Sequence, residues 1–213
     1  MTAAAATMGG MASRSRTPYP QAARELLRET LFGAARDQLE HRAWSEITMS
    51  DIAAAAGVSR QTLYKEFGSR DEFGLAYVIQ EGERFLDAVD AAVLAHRDDP
   101  RAAIHAALEL FLRTAGEDKL IRIMLSDDGT GGMLPFVTTQ GTPVVLWATT
   151  RLAATISAGW PQAPSADVRL LSESLVRLAI SYITTPSESP ETTAAAVAEL
   201  LGPVIDRALG ERG

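Results

Sequence analysis

An all-α fold is predicted for this 213-residue chain, and three observations predict it. Apolar residues recur at three- and four-residue spacing along most of its length. Aromatics make up only 6% of residues against 46% apolar, so Ala and Leu carry the hydrophobic content, which suits helices better than strands. Residues 48–73, TMSDIAAAAGVSRQTLYKEFGSRDEF, read as two short helices around a tight turn. They belong to an N-terminal three-helix unit, with a larger helical body after it.

The elements follow in order. A first helix is expected over about 20–41, where Leu26, Leu27, Leu31, Ala34, Ala35 and Leu39 share a face. Trp44 and Ile47 bridge to the helix pair and complete a three-helix core. Thr48 caps the next helix, and Asp51 places negative charge in its first turn. Ile52 anchors that helix, while Ala53 to Ala56 keep it slim for a close crossing. Gly57 supplies the left-handed residue that ends it, Val58 plugs the space between the helices, and Ser59 caps a second helix over 60–67. Leu63 and Phe67 form its core face, four residues apart.

The remaining side chains of that second helix suit a DNA surface. Arg60 and Gln61 can make paired hydrogen bonds to base edges, and Thr62 can touch a thymine methyl. Tyr64 and Lys65 lie a turn further on, where phosphate contacts are expected, and Thr48 and Ser59 at the helix starts also suit phosphates. A plain helical hairpin with solvated polar residues is the competing reading.

Ile52-Ala53, Gly57-Val58-Ser59, Thr62-Leu63-Tyr64, Phe67 and Phe73, at their fixed spacing, resemble the N-terminal signature of the TetR (tetracycline repressor) family over roughly residues 20–75. The resemblance implies an all-helical homodimer. Its N-terminal three-helix helix-turn-helix domain binds DNA, and its C-terminal helical domain binds a small molecule and dimerises. Three positions depart from the family's habit: Glu66 stands where His is frequent, Arg70 where Lys is, and Gln61 where Gly is. Glu66 puts a negative charge near the DNA face. Gln61 gives the reading helix an extra polar side chain, a specificity element.

The expected domains are a disordered basic arm over 1–18 with Arg14 and Arg16, the helix-turn-helix domain over 19–68, and the ligand-binding and dimerisation domain over 69–213. The arm either follows DNA or is a solvated tail. Ser69 caps a long helix up to His96 that links the two domains. Pro100 opens a helix through Ala115, a shorter one covers about 117–126, and 127–135 (DDGTGGMLP) reads as a flexible segment. Helices over about 142–159, 165–185 and 190–209 complete the chain, with Pro203 expected to bend the last.

Within the resemblance, the helices between about 85 and 160 surround a ligand cavity. Its expected wall is Phe85, Leu108, Phe111, Leu112, Met124, Met133, Phe136, Trp147 and Arg151. Methionines and aromatics make an adaptable apolar lining. Arg151 on an apolar helix can meet the carboxylate of a fatty acid or similar amphipathic effector, or else form an inter-helix ion pair. The stripes of the last two helices, with Leu171, Leu175, Leu178 and Tyr182 on one and Val197, Leu201 and Ile205 on the other, are expected at the dimer interface. Some of each stripe packs within the protomer.

Charge and composition agree. The net charge of −7 is uneven: residues 1–70 carry 9 Lys+Arg against 7 Asp+Glu, and the rest carry 11 against 20. A weakly basic end on an acidic body fits a DNA binder. With no cysteine, neither disulfides nor thiolate metal sites arise, which suits a cytoplasmic protein. The small apolar residues 1–12 precede Arg14 and Arg16, the reverse of a secretory signal. Arg151 interrupts the most apolar later stretch, so no membrane partner is expected. His41, His96 and His105 lack metal-ligand spacing, and no nucleophile motif is evident. The expectation is a non-enzyme without cofactor or metal: a ligand-responsive regulator, by the resemblance a repressor that binds a palindromic operator as a homodimer and is released by a small apolar or amphipathic effector, with an interaction module that no longer reads DNA and an activator as the alternatives.

Overall fold

The computed structural model describes residues 18–126 and 132–210, without the side chains of 120 and 124–126. The N-terminal arm with Arg14 and Arg16, and most of the flexible segment, lie outside the described residues. The helices are α1 (Tyr19–Leu39), α2 (Met49–Ala55), α3 (Arg60–Phe67), α4 (Arg70–Ala95), α5 (Pro100–Glu117), α6 (Lys119–Ser126), α7 (Thr142–Gly159), α8 (Ser165–Thr184) and α9 (Pro190–Leu209). No strand occurs among the described residues.

Local chemistry sets the boundaries. Thr48 and Asp51 form a full capping box. The Thr48 hydroxyl accepts from the Asp51 N–H, and the Thr48 N–H donates to the Asp51 carboxylate at 2.9 Å. That backbone donor, then the Thr48 hydroxyl, hold the Asp51 carboxyl below its ordinary pKa. Ser59 caps α3, Ser69 caps α4, Asp99 caps α5 and Ser189 caps α9. Gly57 has φ +69° and ends the α2 turn as expected. The α5–α6 break falls later than the sequence suggests. The Asp118 carboxylate accepts from the Ile121 N–H at 2.9 Å and restarts the chain there, so α5 runs on to Glu117. Helix α9 runs through Pro203, which lies on its exposed side.

Two apolar clusters hold the chain together. The first joins α1, α2, α3 and the start of α4 around Leu31, Phe32, Trp44, Ile52, Leu63, Phe67, Phe73 and Tyr77. The Phe67 and Phe73 rings meet edge to face at 4.8 Å, and Phe32 lies 5.5 Å from Phe67. Full burial of each such side chain contributes about 1.5–3 kcal/mol. The second cluster packs α4, α5, α7, α8 and α9, with Val93, Ile104, Ile156, Leu171, Val197 and Ile205 almost wholly covered. Helix α4 belongs to both clusters and is the covered path between them.

Two placements correct the sequence reading. Phe136, expected on the cavity wall, sits in a 3-10 turn (Leu134–Phe136) and belongs to the N-terminal cluster instead. Gly74 of α4 leaves it room: a Cβ there would stand 2.6 Å from the Phe136 ring. The other concerns the α8 and α9 stripes. Leu171, Leu175, Val197 and Ile205 are buried inside the protomer, and Leu178, Tyr182 and Leu201 pack against the same cluster. A partner chain cannot reach the four buried ones. The large apolar side chains that these helices do present outward are Leu170 and Leu200, at 55% and 69% exposure.

Candidate functional site

The first candidate surface is the face of α3. Arg60, Gln61 and Lys65 are exposed there, Thr62 and Tyr64 are half-buried, and Thr48 and Ser59 are exposed at the neighbouring helix starts. The core side of α3, Leu63 and Phe67, is buried, so its outward residues are fixed by what lies behind them. Arg60 stacks over the Tyr64 ring at 5.2 Å, which holds the guanidinium beside the start of α2. A shallow hollow there is lined by Ser45, Thr48, Met49, Ser50, Arg60, Tyr64 and Arg70. Two arginines and two helix N-termini converge on it, an arrangement that attracts a phosphate. Ser45, Ser50 and Arg70 were not singled out as contacts in the sequence. Arg70 stacks over Trp44 at 4.4 Å and donates to the Trp44 carbonyl at 2.5 Å, and only the fold makes that placement visible.

Glu66 does not face outward as a free charge. Arg24 donates to both of its oxygens at 2.9 Å and Arg28 to one at 2.8 Å, and its side chain is only 10% exposed. Burial alone would raise its carboxyl, but the Arg28 and Arg24 hydrogen bonds and charges outweigh that and lower it below the ordinary value. Arg28 also lies over the Phe67 ring at 4.6 Å. Glu66 therefore ties α1 to α3, and its charge is answered within the fold.

The second candidate is a cavity of about 180 Å³ between α4, α5, α7 and α8. Phe85, Leu108, Phe111, Met133, Trp147 and Arg151 line it, as the sequence suggested. Leu112 and Phe136 do not; Leu112 turns into the C-terminal cluster. The Met124 side chain lies outside the described residues. Leu175, expected at a dimer interface, lines the cavity, as do Val78, Leu86, Val89 and Ile183. Those residues were missed because their helices also carry ordinary core stripes. Trp147 crosses α4 at Gly82, where a Cβ would stand 2.6 Å from its ring, and its indole N–H donates to Glu83 at 2.9 Å.

Arg151 has another partner than a ligand carboxylate. It bonds Glu83, Asp87 at 2.5 Å, and Asp90 at 2.8 Å. Thr155 also donates to Asp90 at 2.7 Å. Burial first, and then Asp87, raise the Asp90 carboxyl above its ordinary value. Three carboxylates around one guanidinium leave no free positive charge for an anionic head group, so the inter-helix ion pair prevails over the carboxylate-binding role. No His/Cys/Asp/Glu group among the described residues could hold a metal ion, and no described helix is long and apolar enough to cross a membrane.

Comparison with known proteins matches both halves of the chain. Residues 31–77 match the bacterial regulatory proteins of the tetR family, and residues 99–203 match a bacterial tetracyclin repressor C-terminal domain. The regulator AlkX of Mycobacterium tuberculosis is 36% identical over 192 residues, covering 90% of this chain and 91% of that one. The regulator EthR of Mycolicibacterium smegmatis is 31% identical over 86 residues, 40% of each chain. Among solved structures, the TetR family repressor AlkX of Dietzia, implicated in biodegradation of n-alkanes, superposes with TM-score 0.73 at 34% identity, covering 85% of this chain and 96% of that one. Similarity to one relative over nine-tenths of both chains, family models matched in both halves and the all-helical fold agree: the chain belongs to the TetR family of ligand-responsive, DNA-binding transcriptional regulators.

Proposed function

We propose that the chain is a repressor that holds a palindromic operator as a homodimer and leaves it when a long, mostly apolar, uncharged molecule fills the cavity. The observation that carries this reading is the position of α4. It walls the cavity through Val78, Gly82, Phe85 and Leu86, and its first turns enter the core beneath the reading helix through Phe73 and Tyr77. A change of tilt forced at one end of a packed helix is felt at the other. The ligand shifts the equilibrium only by its difference in affinity for the two states. Similarity to AlkX of Dietzia supports a hydrocarbon-like effector, and so does the near absence of polar lining.

In this reading Arg60, Gln61 and Thr62 face base edges, while Thr48, Ser59, Tyr64 and Lys65 face phosphates. The arm over 1–18 precedes a reading domain over 19–68 and an effector domain over 69–213, and the protein acts in the cytoplasm. Dimerisation is needed because one eight-residue helix offers few base contacts, whereas two of them about 34–36 Å apart address two half-sites. The outward faces of α8 and α9 around Leu170 and Leu200 are the surface proposed for it. Turned away and paired, Glu66 gives no reason to prefer an interaction module that has lost DNA reading.

Gel-shift titration on the DNA upstream of its own gene, at two salt concentrations and with excess competitor, tests the reading. A discrete shift that survives competitor and weakens on adding 1-decanol or n-decane is expected. A decanol that binds tightly in calorimetry yet leaves the shift unchanged would sink the effector half. Leu200→Arg is expected to shift the protein from dimer to monomer in light scattering and to abolish the discrete shift. A reporter fused to the operator gives the sign of regulation, and loss of expression on deletion would make the protein an activator.

A further inference from the structure

Glu81 differs from the rest of the cavity wall. It lies on α4, is 4% exposed, and still lines the cavity. Arg36 of α1 bonds its Oε2; its other oxygen, Oε1, makes no bond to a described residue. One turn earlier on the same helix, Tyr77 is fully buried, and neither its hydroxyl nor the Nε of Arg36 has a protein partner among the described residues. Burial, and then the charge of Glu81, push the Tyr77 phenol far above its ordinary pKa, so it remains a protonated donor beside the pair. Of these three groups Glu81 alone lines the cavity, giving it a polar corner at the end facing the reading unit; Asp90 and Arg151 are the other charged residues of an otherwise apolar wall.

We propose that this corner is a head-group subsite for a terminal hydroxyl, so that the effector is a linear alcohol-type chain whose O–H donates to the Oε1 of Glu81. The proposal rests on the reading of the cavity as the effector site. The remaining polar points of the wall favour a donor. Asp90 already accepts from Arg151 and Thr155, and Arg151 is already surrounded by three carboxylates. An ionised carboxylate would thus meet negative charge at both polar points. A plain alkane would leave the second oxygen of a buried carboxylate facing hydrocarbon, which is costly for an acceptor. A hydroxyl satisfies that oxygen and needs no change of protonation. The tail then runs along Phe85, Leu108 and Phe111. Because the other oxygen of the same carboxylate bonds Arg36, a ligand hydroxyl on Oε1 sits on the group that ties α4 to α1, and the occupant is coupled to the reading unit through it.

The test uses the full-length protein and displacement of bound N-phenyl-1-naphthylamine, an uncharged apolar fluorescent reporter. The competitors are 1-decanol, its methyl ether (similar length and apolarity, no O–H) and decanoate at pH 7.5. Decanol is expected to displace the reporter at a concentration about tenfold or more below that of the ether, as a hydrogen bond to a charged group implies. Decanoate is expected to be weaker than decanol. In the double variant Arg36→Met with Glu81→Leu, which removes both charges together, the preference for alcohol over ether is expected to fall to near unity while ether binding stays. Glu81→Asp, which keeps the charge for Arg36 but withdraws it from the cavity, is expected to reduce the preference, and it carries the test if the double variant lacks native circular dichroism. Equal displacement by alcohol and ether, a preference that survives the double variant, or decanoate outcompeting decanol would each overturn the subsite alone. Failure of every chain to displace the reporter would overturn the cavity reading beneath it.

Discussion

The crossing of α4 and α7 turns on a single missing methyl. Alanine for glycine within a helix gains about 0.8–1 kcal/mol from backbone propensity alone. At Gly33 of α1 nothing lies within 4 Å of where a Cβ would stand, so Gly33→Ala is expected to deliver that gain. At Gly82 the same methyl would stand 2.6 and 2.9 Å from two ring carbons of Trp147. The ring cannot swing aside freely, because its N–H is bonded to Glu83. Overpacking of this kind costs about 1–3 kcal/mol. Gly82→Ala should therefore fall about 1–3 kcal/mol below Gly33→Ala, between neutral and a loss of about 2 kcal/mol against the parent. Urea unfolding followed by far-ultraviolet circular dichroism measures both, at equal protomer concentration because dimerisation couples to stability. A Gly82→Ala protein stabilised as much as Gly33→Ala would refute the close crossing, and with it the role of Trp147 as a cavity wall.

Thr48→Ala removes the capping box and is expected to cost about 1 kcal/mol of unfolding free energy, read from the urea midpoint. Gln61→Ala, once an operator is in hand, should cost about 1–3 kcal/mol at one base-pair position and relax preference there, while Lys65→Ala should weaken all sequences alike and reduce the salt slope by about one, both measured by titration against single-position operator variants. The Glu66 carboxyl is lowered from its ordinary value near 4.5 in the folded protein. Its contribution to stability is thus present above that value and lost as pH falls through the depressed folded pKa. The Glu66→Gln protein should show a shallower loss of stability below pH 4.5 than the parent, with operator affinity nearly unchanged; equal acid limbs would mean that the Arg24 and Arg28 bonds do not persist in solution.

The reading unit was legible because its signals are local. Thr48 with Asp51, Gly57, and Ser59 before Arg60 each act through backbone groups a few residues away, and the structure forms the bonds those residues specify. Leu63 and Phe67 followed from a four-residue spacing. What stayed hidden even here was long-range. Glu66 reads as a charge near DNA until Arg24 and Arg28, some forty positions earlier, are seen to reach it. Arg70 reads as a helix-start residue until it is found against Trp44.

The C-terminal half was legible as helices and much less as surfaces, and the reason is geometric. An apolar stripe identifies the covered face of a helix but not what covers it. On α8 and α9 these stripes belong to the C-terminal cluster of the same protomer, so Leu171, Leu175, Val197 and Ile205, expected at a dimer interface, point inward. The side chains left for a partner, Leu170 and Leu200, are isolated leucines on otherwise mixed faces, and periodicity gives them no weight. The cavity fails in the same way. Its wall is a set of core residues that do not quite meet, so Phe85 and Leu108 qualify while Leu112 and Phe136, of the same chemistry, do not. Charged residues reverse the bias. Arg151 on an apolar helix invites a ligand anion, yet Glu83, Asp87 and Asp90, recurring at three- and four-residue spacing on α4, form a ladder of acids on the side facing α7. Glu81 lies off that ladder, which is why it turns to Arg36 of α1 and to the cavity instead. The specificity of such a chamber therefore depends less on the residues that mark it as apolar than on which of its few charges are already answered within the fold.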